Sequence, residues 1–222
     1  MSYRRIDLET YPRRAHFEHF CAMTDPWAGL TVPVDVTELV DALHRAKRPF
    51  YLSMLYAVAR AANTVPELRR RRHEGGIIEY DHCPTSHTEI LPDGTYAYCK
   101  LNDEGLSYAE YIEAGLKAQQ YVREHPNIEE DADAKAYLFL SCVPWISFLH
   151  VKQPTTNDPE NTNPCLVWGR YYRQEGRIYL PFDIVVHHGL CDGWHLTQFF
   201  RQLDAEIAAI CRICQEEIKE AK

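Results

Sequence analysis

Two hydrophobic periods run along this chain. Leu30–Val36 alternates apolar and polar positions, the period of a half-buried strand. Phe50 to Asn63 is apolar on nearly every side, which predicts a buried helix. A short strand is expected around Tyr3–Leu8, then a helix from about Arg13 to Met23 with Pro12 just ahead of it. Thr37 is expected to cap a helix running to about Lys47, with Pro49 breaking it. From Gly76 to Leu101 the pattern shortens into strands and turns, with Pro92-Asp93-Gly94 as a hairpin signal. Ser107 to Glu124 is amphipathic and opens on Ser107 with Glu110 three residues on, the capping-box spacing. Tyr137–Cys142 and Ile146–Val151 are expected as strands separated by Pro144, and the polar, Pro- and Asn-rich Gln153–Pro164 as a loop. Leu166–Tyr172 and Ile178–His187 are expected as long strands flanking a turn at Gln174-Glu175-Gly176. A last helix is expected from about Asp192 to near the C-terminus. Helices and strands interleave, yet neighbouring strands are close enough for hairpins. That predicts an α+β fold, a mixed sheet packed with helices, rather than a doubly wound parallel one.

Composition narrows the function. The chain has 222 residues, a length that one domain (residues 1–222) accommodates, and no repeat or low-complexity linker divides it. A net charge of -8 argues against a general nucleic-acid binder. The basic run Arg69–Arg72 reads either as a solvated turn or as a phosphate-binding patch. No apolar run reaches the roughly 20 residues that span a bilayer, and the first residues do not resemble a secretory signal, so a cytoplasmic protein away from membranes is expected. The 8 cysteines are then expected as free thiols. Cys211 and Cys214 share a helix face, which suits packing better than zinc, since a structural zinc needs four ligands.

The chemistry concentrates in Ile184-Val185-Val186-His187-His188-Gly189-Leu190-Cys191-Asp192-Gly193-Trp194-His195. A strand ends in two histidines, and a glycine and a possible helix cap follow. A histidine held at a strand-to-helix junction can take a proton from a hydroxyl near neutral pH, and an acid four residues on can brace it. The residues alone leave other readings open. Either histidine can be a satisfied core or rim residue, and Asp192 can be only a helix N-cap. A metal site built from His187, His188, Cys191 and His195 is disfavoured, because adjacent strand residues point to opposite faces; no metal is expected.

The spacing His188-x-x-x-Asp192-Gly193 resembles the HxxxDG motif of CoA-dependent acyltransferases, and the fuller segment resembles the signature of chloramphenicol acetyltransferases. The resemblance extends from about Tyr3 to Ile207. It includes Arg13-Arg14-Ala15-His16-Phe17, Phe50-Tyr51, Pro66-Glu67-Leu68-Arg69, Ser141-Cys142-Val143-Pro144-Trp145, Gly169-Arg170-Tyr171-Tyr172 and Leu180-Pro181. It implies that acetyl-CoA is the co-substrate and a small-molecule hydroxyl the acceptor. His188 would be the base, Asp192 paired with Arg13 would hold the histidine loop, and Ser141 would donate to the oxyanion. It also implies a homotrimer with active sites between subunits. Phe20, Phe139 and Val167 stand where the family commonly has tyrosine, asparagine and threonine. With Tyr96 and Trp145 they are the expected substrate-binding residues of a more apolar pocket. Lys47, Arg48 and Arg69–Arg72 are candidates for contacting CoA. Two alternatives are a catalytically silent drug or acyl-CoA binder and an acyltransferase using an acceptor such as dihydrolipoamide. The lack of a lipoyl-like segment, and an extent that fits the stand-alone trimeric family, are expected to disfavour the latter.

Overall fold

The computed structural model describes residues 1–130 and 132–220. Its strands are β1 (Tyr3–Ile6), β2 (Trp27–Asp35), β3 (Arg70–His73), β4 (Gly76–Tyr80), β5 (Thr85–Ile90), β6 (Tyr96–Leu101), β7 (Leu138–Val143), β8 (Cys165–Gly169), β9 (Tyr172–Gln174) and β10 (Arg177–His187). Its helices are α1 (Arg14–Cys21), α2 (Thr37–Ala46), α3 (Phe50–Asn63), α4 (Tyr108–Glu124) and α5 (Gly193–Glu220). The expected α+β class is what forms. A large sheet has the order β2-β10-β8-β7-β5-β6, with β9 pairing the start of β10, and a smaller sheet has the order β1-β4-β3. The large sheet is mixed: β7 runs parallel to both β5 and β8, and the remaining pairs are antiparallel.

One face of the large sheet is apolar and packs on the helices. Leu138, Leu140, Leu166, Trp168, Phe182 and Ile184 alternate onto it, and α3 and α5 cover it. In α3 ten of the fourteen residues are buried, as its all-round apolar sequence requires. α5 instead buries a stripe at three- and four-residue spacing: Leu196, Phe199, Leu203, Ile207, Ile210 and Cys214. Cys211 and Cys214 are part of that packed stripe as free thiols, in keeping with the packing reading. Residues 221 and 222 lie outside the described residues.

Local signals hold where local chemistry decides. Ser107 and Glu110 form the full capping box of α4. The β5–β6 hairpin turns at Pro92-Asp93-Gly94, where Gly94 takes φ 85° and donates to Leu91 O at 3.0 Å. The Glu175-Gly176 turn between β9 and β10 also has both residues at positive φ.

Four expectations need correction. Ile146–Val151 is not a strand: Pro144 and Trp145 turn the chain after β7, and the segment continues as irregular chain against Gly169 at the end of β8, half of it exposed. Ile146 is tied to Arg170 by a single 2.8 Å backbone bond. The expected strand Leu166–Tyr172 breaks at Arg170-Tyr171 into β8 and β9. Thr37 does not cap α2; its N–H and hydroxyl both donate to Asp35 Oδ1, and its hydroxyl accepts from Ile178 N–H at 2.8 Å. Val36 is the N-cap and has no side-chain capping bond; Asp35, one residue earlier, satisfies the first N–H of the helix. Finally, Arg69–Arg72 is not a free turn, and Arg69, Arg70 and Arg71 are bound within the protein rather than free for a phosphate. The run leads into and forms β3, where Arg71 is fully buried and donates to the carbonyls of Lys135, Leu68, Arg70 and Tyr137. Arg70 is held between Glu67 and Glu79.

Candidate active site

β10 delivers the two histidines to the edge of the fold and a tight turn then reverses the chain into α5. Leu190 and Cys191 N–H both return to His187 O, at 2.9 and 3.1 Å. Gly189 lets the turn pack closely: a Cβ there would lie 3.1 Å from the His187 ring and 3.3 Å from Phe17 O. Its N–H donates to His187 Nδ1 at 3.2 Å. His187 is buried edge-on against Trp27, and burial pushes its pKa down to about 4, so it is a neutral structural ring. His188 is only half-buried. Its ring stacks on Phe20 of α1 at 4.0 Å with planes 5° apart, and its Nδ1 is buried without a hydrogen-bond partner among the described residues.

Asp192 joins the two elements behind that turn. Its Oδ2 meets Arg13 Nη1 at 2.7 Å, just ahead of α1. Its Oδ1 accepts from Trp194 N–H at 3.0 Å, the bond of a helix N-cap. Both roles weighed for Asp192 are thus filled by one carboxylate. Burial opposes its charge, yet the neighbouring His195 and Arg13 hold its pKa below the usual value. His195 lies 2.9 Å from Asp192 and 3.7 Å from Glu67, and Glu67 continues to Arg70 at 2.8 Å. The turn carrying His188 is therefore anchored to α1 and to the segment before β3.

A second group of expected residues gathers elsewhere. Ser141, Phe139, Val167, Tyr96 and Trp145 all line one cleft of about 850 Å³. Phe139, Ser141 and Val167 share the sheet face opposite the helix-covered core, and Tyr96 and Trp145 are exposed at its mouth. Ser141 Oγ lies 3.3 Å from Thr88 Oγ1. Thr88, on β5, was not foreseen. Its only signal was the run Thr85-Ser86-His87-Thr88-Glu89, polar on both faces of what is an interior strand.

His188, Phe20, Arg13 and Asp192 do not line that cleft. The register shows why. Ser141 pairs with Val167, and Val167 with Asp183 of β10. His188 is five residues beyond Asp183, about 17 Å along the strand, and β10 lies two strand spacings, about 10 Å, from β7. Within one chain the histidine and the serine are roughly 19 Å apart.

Of the candidate cations for a cofactor, Arg48 is engaged by Glu217 of α5 through two bonds of 2.6 and 3.0 Å, and Lys47 is exposed with φ 52° at the end of α2. Arg69 is bound to the carbonyls of Tyr80 and Asp81. Among the described residues no helix is long and apolar enough to cross a membrane.

Comparison with known proteins extends the picture. A family model described as "Chloramphenicol acetyltransferase" matches residues 1–204. Chloramphenicol acetyltransferase 2 of Haemophilus influenzae is 27% identical over 205 residues, 91% of this chain and 96% of its own length. A solved chloramphenicol acetyltransferase superposes with a TM-score of 0.80 at 24% identity, covering 93% of this chain and all of the other. The cubic core of the pyruvate dehydrogenase multienzyme complex gives a TM-score of 0.64 at 19% identity, covering 88% of each chain.

Proposed function

Since the chain belongs to the chloramphenicol acetyltransferase family and is an acetyl-CoA-dependent acetyltransferase, we propose that it acetylates a hydroxyl of chloramphenicol or a similar small molecule by direct transfer in a ternary complex. The observation that carries this reading is the Arg13–Asp192 ion pair, 2.7 Å long, clamping the turn that presents a half-buried His188.

In this proposal His188 takes the proton of the acceptor hydroxyl at Nε2, since Nδ1 is enclosed. The freed oxygen attacks the thioester carbonyl, and Ser141 donates its hydroxyl to the resulting oxyanion, an interaction worth about 3 kcal/mol when so aimed. Thr88 can donate to Ser141 Oγ and so leave the serine proton directed at the oxyanion. Collapse breaks the C–S bond, the ester forms, and the departing CoA sulfur recovers the proton from His188.

The separation of roughly 19 Å between His188 and Ser141 supports a site completed by a second copy, His188 from one and Ser141 from the other. We propose the trimer that the family resemblance implies, acting in the cytoplasm and conferring resistance to its acceptor. Arg13 and Asp192 act by positioning. Phe20 packs on the base, and the apolar walls Phe139 and Val167 select an aromatic acceptor.

The test follows free CoA thiol from acetyl-CoA, with and without chloramphenicol, for the protein and its His188→Ala variant. Chloramphenicol-dependent release that vanishes in the variant is the expected result. Release that persists in the variant would remove His188 as the base. No release from the parent protein, with chloramphenicol binding by calorimetry, would identify a silent binder instead.

A further inference from the structure

Strand β5 parts from β7 partway along its length. The two pair only over Thr85–His87 and Leu138–Leu140, then continue separately to Ile90 and Val143. His87 and Leu140 are the last paired residues before this split. The 850 Å³ cleft opens there, with Thr88 and Ser141 on one side of the sheet and Tyr51 and Trp168 on the other.

His87 forms part of the cleft wall and is 1% exposed, yet among the described residues neither of its ring nitrogens has a hydrogen-bond partner. The Tyr51 ring meets it edge-on at 5.9 Å, and the Tyr51 hydroxyl is committed to Thr88 O at 3.0 Å. Burial lowers the His87 pKa to about 3, so the ring is neutral and offers one N–H and one lone pair. A buried polar group of this kind is normally hydrogen-bonded. An anionic ligand group can use only the N–H of a neutral ring, whereas a secondary amide carries both a carbonyl and an N–H and can meet either ring nitrogen.

We infer that His87 is a ligand-contacting residue of the cleft, hydrogen-bonding a secondary amide of the molecule that occupies the split between β5 and β7. This inference rests on the proposed acetyl transfer for its choice of ligands. Both proposed substrates carry the chemistry: the pantetheine arm of acetyl-CoA has secondary amides, and so has chloramphenicol.

The test compares His87→Phe, which keeps a ring and removes both nitrogens, with His87→Gln, which returns a donor and an acceptor. KM is measured separately for acetyl-CoA and chloramphenicol, and Kd for CoA and chloramphenicol by calorimetry. His87→Phe is expected to raise KM and Kd for one of the two about tenfold, with a smaller effect on kcat, and His87→Gln to recover most of the loss. The substrate that moves identifies the source of the amide. If phenylalanine overfills the wall and the variant fails to fold, His87→Leu makes the same comparison.

Constants within twofold of the parent for both substrates in the folded apolar variant would overturn the inference, as would a glutamine variant no better than the apolar one. Turnover that is indifferent to His87 sinks this inference alone. His87-dependent binding without turnover sinks the proposed reaction alone. A parent protein that binds neither molecule overturns both.

Discussion

Adjacent histidines at the end of β10 meet opposite environments. His187 is enclosed by Trp27 and Gly189, while His188 is half open and stacked on Phe20. The alternation of strand side chains foretold their divergence, but not which one would be buried, because Trp27 and Phe20 come from distant segments. The enclosed ring has a measurable consequence. An unfolded histidine titrates near 6.5, whereas folding lowers His187 to about 4 and His87 to about 3. Between those values the unfolded chain binds more protons, so this part of the stability is complete above pH 6.5 and is lost as the pH falls. Lowering the pH from 7 to 4.5 should cost about 2–3 kcal/mol for each ring. Urea unfolding at the two pH values should show the loss, and His87→Phe should roughly halve it; a variant with the parent's full loss would refute the assignment. Asp192 permits a sharper separation of roles. Asp192→Asn keeps an oxygen for Trp194 N–H and removes the charge facing Arg13. Stability should change by less than about 1 kcal/mol, while kcat falls tenfold or more. An unchanged kcat would mean that the charge facing Arg13 does not position the base and that Asp192 serves only as a cap.

Strands and helices were legible wherever their determinants lie within a few residues. The Ser107–Glu110 capping box, the hairpin at Gly94, the buried α3 and the stripe of α5 all belong to that class. The arginine run at β3 belongs to the other. Arg71 is buried because Lys135 and Tyr137, more than 60 residues away, bring carbonyls to its guanidinium. No local pattern contains that information. Ile146–Val151 fails in the mirror sense: it has the residues of a strand but lies against the end of β8 as irregular chain. The motif around His188 was readable because the turn encloses its own base and brace. The polar run of β5 was not, because its meaning depends on where β7 leaves it. Arg71 yields a test at this scale. Burial lowers the pKa of its guanidinium, but four carbonyls hold it in place, so Arg71→Met leaves those acceptors unpaired. The variant should lose about 3 kcal/mol or more in urea unfolding and leave the KM for acetyl-CoA unchanged in whatever fraction folds. A raised KM with full stability would restore the phosphate-patch reading.

At the scale of the whole molecule, the distance between His188 and Ser141 decides how many chains one reaction needs. Both are fixed to the same sheet: one follows the end of β10, and the other lies on β7 in register with Asp183. A sheet does not fold back on itself to close a gap of roughly 19 Å. If the two residues act together they do so across two copies, and mixing inactive variants should then restore activity. His188→Ala contributes intact serines and Ser141→Ala intact histidines. In assemblies formed by co-expressing the two equally, a site is complete only when its histidine comes from the serine variant and its serine from the histidine variant. Random assortment makes about one site in four complete, whatever the number of subunits in the closed assembly. Acceptor-dependent CoA release should therefore recover to about a quarter of the parent rate, against near silence for His188→Ala alone and a loss of about 100-fold or more for Ser141→Ala alone. Recovery no greater than the average of the two separate variants would mean that the histidine and the serine do not meet across two copies. Because His188 and Phe20 travel together on one chain and Ser141, Thr88 and the apolar walls on the other, a recovered quarter would also predict that dilution far enough to separate the subunits abolishes activity without unfolding them.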